Sequence, residues 1–204
     1  MIYLLRHGTV NGSEQRLFIG GTDTPLAEKG REQARQWRRL FHKIEFVTIY
    51  CSDLKRSEET ARIIAGDNQV PIRVIPEFRE ICLGQWEGLS MEFVRRRFPE
   101  QWRRRGEKLA DYPPPGGESF REFRNRVVPA FEAVAGKLQG HGVIIAHAGV
   151  NRVILSHLLG MPLPNIFRLS QDYGALNIIE YGTKSPRVLA LNIQPGQFQY
   201  PRID

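Results

Sequence analysis

Gly142-Val143-Ile144-Ile145-Ala146 runs straight into His147-Ala148-Gly149-Val150, and Met1-Ile2-Tyr3-Leu4-Leu5 runs straight into Arg6-His7-Gly8. Both runs are short and unbroken in their apolar character, which suits strands buried on both faces of a parallel sheet. Each delivers a histidine at its end. Outward from these two runs, strand and helix patterns alternate. Ala34, Trp37 and Phe41 recur at helical spacing and predict a helix over 27–42. A β-rich run predicts a second strand over 46–50, and a helix over 55–65 follows, stopping near Gly66. A third strand is predicted over 72–75. Ser119 is the expected N-cap of a helix reaching about residue 138, with Pro129 expected to kink or restart it. A helix over 150–159 and strands over 176–181 and 188–193 complete the pattern. This alternation predicts an α/β doubly wound fold, a three-layer sandwich on a mostly parallel central sheet.

At 204 residues the chain reads as one domain, 1–204, with an insertion at about 77–117. The insertion is polar and Arg-rich, carries Trp86 and Trp102, and ends in Pro113-Pro114-Pro115-Gly116-Gly117, a loop. It is expected to form a helical flap over the sheet that tunes substrate choice. A hydrophobic share of 41% with 25% charged residues excludes a disordered or collagen-like chain. No apolar run approaches the ~18 residues that span a membrane. The first apolar run meets Arg6 and His7 at once, so it does not read as a secretory signal. Two cysteines make no disulfide framework, and a cytoplasmic location is expected. Lys and Arg total 29 against 22 Asp and Glu, a net charge of +7. Arg95-Arg96-Arg97 and Arg103-Arg104-Arg105 raise the question of nucleic acid. No RNP-type aromatic motif, zinc-finger spacing or KH loop supports it, so no nucleic-acid partner is expected. A solvated helix face, or a field drawing in an anionic small molecule, accounts for the charge.

In an open α/β sheet, ligands bind beyond the carboxyl ends of the strands. Arg6 and His7 follow the first strand; Ser52, Asp53 and Arg56 follow the second. Glu80 follows the third, and His147 the fourth. Two guanidinium forks at one point imply a phosphate or carboxylate ligand. A neutral imidazole can attack phosphorus, a second can stabilise the transferring group, and a carboxylic acid can protonate the leaving oxygen. His42, His141 and His157 have no such company. No His/Cys cluster has metal spacing.

These residues resemble a known family. Leu5-Arg6-His7-Gly8 is similar to the opening motif of the histidine phosphatase superfamily, which has the phosphoglycerate mutase-like fold. The resemblance continues in order through Thr24-Pro25-Leu26, Gly30, Ser52-Asp53-Leu54-Lys55-Arg56, Phe78-Arg79-Glu80, Gly116-Gly117-Glu118-Ser119 and Ala146-His147-Ala148-Gly149-Val150. It implies that His7 is the phosphorylated nucleophile and Glu80 the proton donor. It also implies that Arg6, Arg56 and His147 form the phosphate pocket, without metal or cofactor. Gly149-Val150-Asn151-Arg152, residues 157–163 and Asp172-Tyr173-Gly174-Ala175-Leu176 resemble the α-ribazole phosphatase group within that superfamily. In the loop after the first strand, Val10, Ser13 and Ile19 depart from the family's polar pattern. Asn11, Ser13 and Gly20 are the substrate contacts expected there. The expected activity is a phosphomonoesterase acting on a small phosphate ester through a phosphohistidine, with α-ribazole phosphate in cobalamin nucleotide-loop assembly as a candidate. The alternatives are a phosphoglycerate mutase or sugar bisphosphate phosphatase, and an idle anion- or nucleic-acid-binding module. The oligomeric state is not legible in the sequence.

Overall fold

In a computed structural model, described for residues 1–15, 17–182 and 185–200, six strands form one sheet. They are β1 (Ile2–Arg6), β2 (Phe46–Cys51), β3 (Ile72–Val74), β4 (His141–Ala146), β5 (Leu176–Glu180) and β6 (Arg187–Ile193), in the order β3-β2-β4-β1-β5-β6. β1, β2, β3 and β4 run parallel, whereas β5 and β6 add antiparallel at one edge. The helices are α1 (Glu28–Leu40), α2 (Lys55–Ala65), α3 (Met91–Arg97), α4 (Pro99–Glu107), α5 (Phe120–Lys137) and α6 (Ala148–Leu158). None is long and apolar enough to cross a membrane.

Strand alternation divides the core in two. Ile2 and Leu4 of β1, with Ile144 and Ala146 of β4, face Phe123, Phe131, Val153 and Ile154 of α5 and α6. Tyr3 and Leu5, with Val143 and Ile145, face Trp37 and Ile64 of α1 and α2. Both faces of the central strands are therefore dry, which is why their sequences show no polar alternation.

Ser119 caps α5 with a full capping box: its Oγ accepts from the Glu122 N–H at 3.2 Å, and Glu122 Oε2 accepts from the Ser119 N–H at 2.8 Å. Pro129 does not restart this helix, which runs unbroken to Lys137. Pro129 and Asn125 are both exposed, so the carbonyl that loses its helical donor lies on the solvent side.

The flap leaves the sheet after β3 and carries α3 and α4. Its inner side joins the α5–α6 core through Trp86 and Val94. It is also stitched to the loop after β1. The Phe18 N–H donates to Leu89 O at 2.9 Å, and Phe18, Trp86 and Trp102 stack with centroids 5.8–6.4 Å apart.

Candidate active site

Register brings the two histidines together. Arg6 of β1 pairs with Ala146 of β4, so His7 and His147 leave the sheet side by side, ring centroids 5.0 Å apart. The antiparallel strand β5 begins where β1 ends, with Leu5 opposite Leu176. The segment entering β5 therefore lies at the same edge, and the Gly174 N–H donates to His7 O at 3.1 Å.

His7 is 4% exposed. Gly8 O lies 2.8 Å from its Nδ1 and can only accept, so the proton sits on Nδ1 and the lone pair on Nε2. Arg56 Nε donates to that Nε2 at 3.2 Å. Burial, then the charges of Arg56 and Arg6, hold the His7 imidazole well below its ordinary pKa. His147 is depressed in the same way by burial, Arg56 and His7. Its Nε2 lies 2.7 Å from Ser52 Oγ. That hydroxyl already accepts from the Leu54 N–H at 3.3 Å and has its own proton to give. His147 Nδ1 then carries a proton that has no partner among the described residues. His147 also stands at the N-cap position of α6 without a capping side-chain bond, and the helix's first residues, Ala148 and Gly149, line the cleft. A helix N-terminus favours anions there.

The arginines are fastened by backbone oxygens. Arg6 Nη1 donates to Gln171 O at 2.6 Å, and the guanidinium lies 3.5 Å over the Tyr173 ring. Arg6 Nε is buried with no hydrogen-bond partner among the described residues. Arg56 Nη1 donates to Thr22 O at 2.6 Å and Nη2 to Gly20 O at 2.8 Å. Three of its five N–H groups are thus engaged, at Nε, Nη1 and Nη2, and two remain for a ligand. The loop that supplies these carbonyls is pinned by Glu87, which accepts from the Gly21 N–H at 2.9 Å and from the Thr22 hydroxyl. Gly20 has φ +50°, and a Cβ there would stand 2.8 Å from Glu87 Oε1, so both its conformation and its space demand glycine.

Glu80 reaches the cleft from the other side. Its Oε2 accepts from the Gly149 N–H and its Oε1 from its neighbour's, the Ile81 N–H, each at 2.9 Å. Arg126 of α5 holds the segment behind it, donating to Glu77 O at 2.7 Å and Arg79 O at 2.9 Å, and is itself held by Glu118.

The structure thus brings Arg6, His7, Arg56 and Glu80 to one edge, around a cleft of about 250 Å³, with His147 fully buried beside His7 and not lining it. Gly20 lines that cleft, but Asn11 and Ser13 do not. Asn11 is exposed, and the short 3-10 turn Ser13–Gln15 carries this part of the loop away before Leu17 returns to bridge Ser90. Leu17, Phe18 and Ile19 line that wall instead. Arg95, Arg96 and Arg97 of the flap are exposed and do not line the cleft. Arg105, Arg152 and Tyr173 do, and sequence reasoning did not place them there.

The family model described as histidine phosphatase superfamily, branch 1, matches residues 2–194. An adenosylcobalamin/alpha-ribazole phosphatase of Escherichia coli is 30% identical over 94% of this chain and 95% of its own length. A 2,3-bisphosphoglycerate-dependent phosphoglycerate mutase 2 of Gloeobacter violaceus is 30% identical over 85% of this chain and 82% of its own. The crystal structure of the alpha-ribazole phosphatase from Shigella flexneri superposes with a TM-score of 0.87 at 28% identity, covering 94% of this chain and 96% of that one.

The depressed histidines have a consequence for stability. Above about pH 6.5 neither the folded nor the unfolded chain protonates them. Below it, the unfolded chain takes up protons that the buried rings refuse, so stability falls as pH drops. Each ring contributes a slope of up to about 1.4 kcal/mol per pH unit in that window. Urea unfolding between pH 7.5 and 5.5, alongside histidine NMR titration, checks this. Both rings should stay neutral below pH 6.5; ordinary titration of either would contradict the assignment.

Proposed function

The chain belongs to the histidine phosphatase superfamily, and from that membership we propose that it is a metal-independent phosphoric monoester hydrolase that passes a phosphoryl group from a small ester to His7 and then to water. The observation that carries this is the state of His7. Its Nδ1 proton is tied to Gly8 O, its ring is kept neutral, and its Nε2 lone pair faces the arginines of the cleft.

In the first step the Nε2 lone pair attacks phosphorus. The bond from phosphorus to the ester oxygen breaks, and that oxygen takes a proton from Glu80. Arg6, Arg56 and the Nδ1 proton of His147 face the charge spread over the phosphoryl oxygens. In the second step the Glu80 carboxylate takes a proton from water as the oxygen attacks phosphorus, and the N–P bond breaks to restore neutral His7. Inorganic phosphate leaves.

Kinship offers two substrate classes. α-Ribazole phosphate, in the assembly of the cobalamin nucleotide loop, follows from the names of relatives. A phosphoglycerate or sugar bisphosphate follows from the mutase relative and is favoured by the surplus arginines of the cleft. A nucleic-acid partner is not part of the reading, because Arg103 and Arg104 are engaged by Glu100 and Glu107.

Turnover of p-nitrophenyl phosphate with excess EDTA tests the reaction class. The wild type should turn over, and His7→Ala should lose at least about a thousandfold in rate while remaining folded. No turnover by the wild type, with or without divalent ions, would sink the assignment and favour an idle binding module. Gly149→Ala tests Glu80. A Cβ at Gly149 would stand 2.3 Å from Glu80 Oε1 and must displace the carboxylate. Hydrolysis of alkyl phosphates, whose leaving oxygen needs a proton, should fall at least about a hundredfold. Unchanged alkyl phosphate hydrolysis would remove Glu80 from the role of acid.

A further inference from the structure

Arg6 and Arg56 serve the same phosphoryl group but are held unequally. Arg56 is engaged at Nε, Nη1 and Nη2, which fixes both the place and the plane of its fork. Arg6 has one hydrogen bond among the described residues, from Nη1 to Gln171 O at 2.6 Å, and four of its five N–H groups remain. One bond fixes a point, about which a fork still swings. The second constraint on Arg6 is Tyr173, whose ring centre lies 3.5 Å from the guanidinium carbon. That is van der Waals contact with the ring face. Tyr173 is itself tied down on both sides. Gln33 of α1 accepts from the Thr9 N–H at 2.9 Å through Oε1 and donates from Nε2 to Tyr173 O at 3.0 Å. Trp37, one turn further along α1 and fully buried, donates from Nε1 to Gly174 O at 2.6 Å. The Tyr173 ring centre also lies 5.6 Å from that of His7, so one ring borders both the nucleophile and the fork.

A transferring phosphoryl group spreads its charge over three oxygens, and a guanidinium meets them through N–H groups that all lie in its own plane. A fork turned by more than about 10–20° from that match loses part of it. An aromatic face holds the plane of a cation without cancelling its charge, and the attraction is strongest where water is excluded. We propose that Tyr173 is a positioning residue of the phosphoryl site: its ring sets the plane of the Arg6 fork, and it acts on the reaction only through Arg6. The inference rests on the reading of the His7 cleft as a phosphomonoesterase site. It requires an aromatic ring at position 173 and makes no use of the phenolic oxygen, because both recorded contacts are made by the ring.

Substitutions at 173 in two backgrounds test this. With Arg6 in place, Tyr173→Leu should lower kcat/KM for p-nitrophenyl phosphate about ten- to thirtyfold. The affinity for inorganic phosphate, measured by calorimetry, should fall with it. Tyr173→Phe keeps the ring and should stay within about threefold of the wild type in both measurements. Arg6→Lys keeps a charge but has no plane to set. In that background Tyr173→Leu should cost less than about threefold further. A loss of equal size in both backgrounds would show that the ring merely supports the fold, and would overturn the inference. A Tyr173→Phe protein as weak as Tyr173→Leu would move the role to the hydroxyl and overturn it as well. Tyr173→Met, unbranched and without a ring, supplies the same comparison where Tyr173→Leu does not fold. The phosphate-binding cycle needs no turnover. Coupling between positions 6 and 173 in phosphate affinity, without hydrolysis of any ester, removes the phosphatase reading alone; hydrolysis without that coupling removes the role of Tyr173 alone.

Discussion

A guanidinium held by carbonyl oxygens is oriented without being neutralised, and three of the four arginines that line the cleft are held that way. Arg6 rests on Gln171 O, Arg56 on Gly20 O and Thr22 O, and Arg152 on Leu169 O; among the described residues Arg105 rests on ring faces instead. Elsewhere on the chain the pattern is reversed. Arg31, Arg79, Arg103 and Arg126 all pair with carboxylates. Among the described residues that line the cleft, Glu80 is the one acid, and its two oxygens are occupied by backbone N–H groups rather than by an arginine. The fold therefore stores an excess of positive charge in a desolvated place, which an incoming anion relieves.

The same charge governs the histidines. Rings buried beside two guanidinium groups refuse a proton, and a neutral imidazole is the form with a lone pair to give. The local hydrogen bonds then choose which nitrogen offers it. Much of the chain beyond this cleft serves to keep the cations from moving apart. Glu87 pins the loop whose carbonyls hold Arg56. Asn151, Gln171 and Asn177 form a buried amide network behind the segment that holds Arg6. Arg126 and Glu118 hold the segment that carries Glu80.

The sheet was legible in the sequence because its central strands are short, dry and flanked by helical periodicity. Arg6, His7, Arg56 and His147 were legible because each lies at or soon after the carboxyl end of a parallel strand. Tyr173 and Gln171 were missed because they precede a strand instead. β5 runs antiparallel, so its entry and not its exit lies at the functional edge. Arg105 was hidden within a run of three arginines, where composition gives no direction. Helical phase held the signal: Phe98 at the N-cap of α4, then Trp102 and Arg105 within it, fall at spacings of four and three, on one face. Asn11 and Ser13 were placed by analogy with a loop whose path depends on the 3-10 turn and the Leu17–Ser90 bridge, and neither announces itself in residue type.

The central claim is that this charge exists to drive phosphorus onto one nitrogen. Rapid mixing with a phosphate ester, an alkaline quench, proteolysis and mass spectrometry address it directly. Phosphate should be found on the peptide that contains His7, at a ring nitrogen, within the time of a single turnover, and it should decay as inorganic phosphate is released. Turnover with no phosphoprotein at any time, or phosphate on Ser52 or His147 instead, would contradict the account.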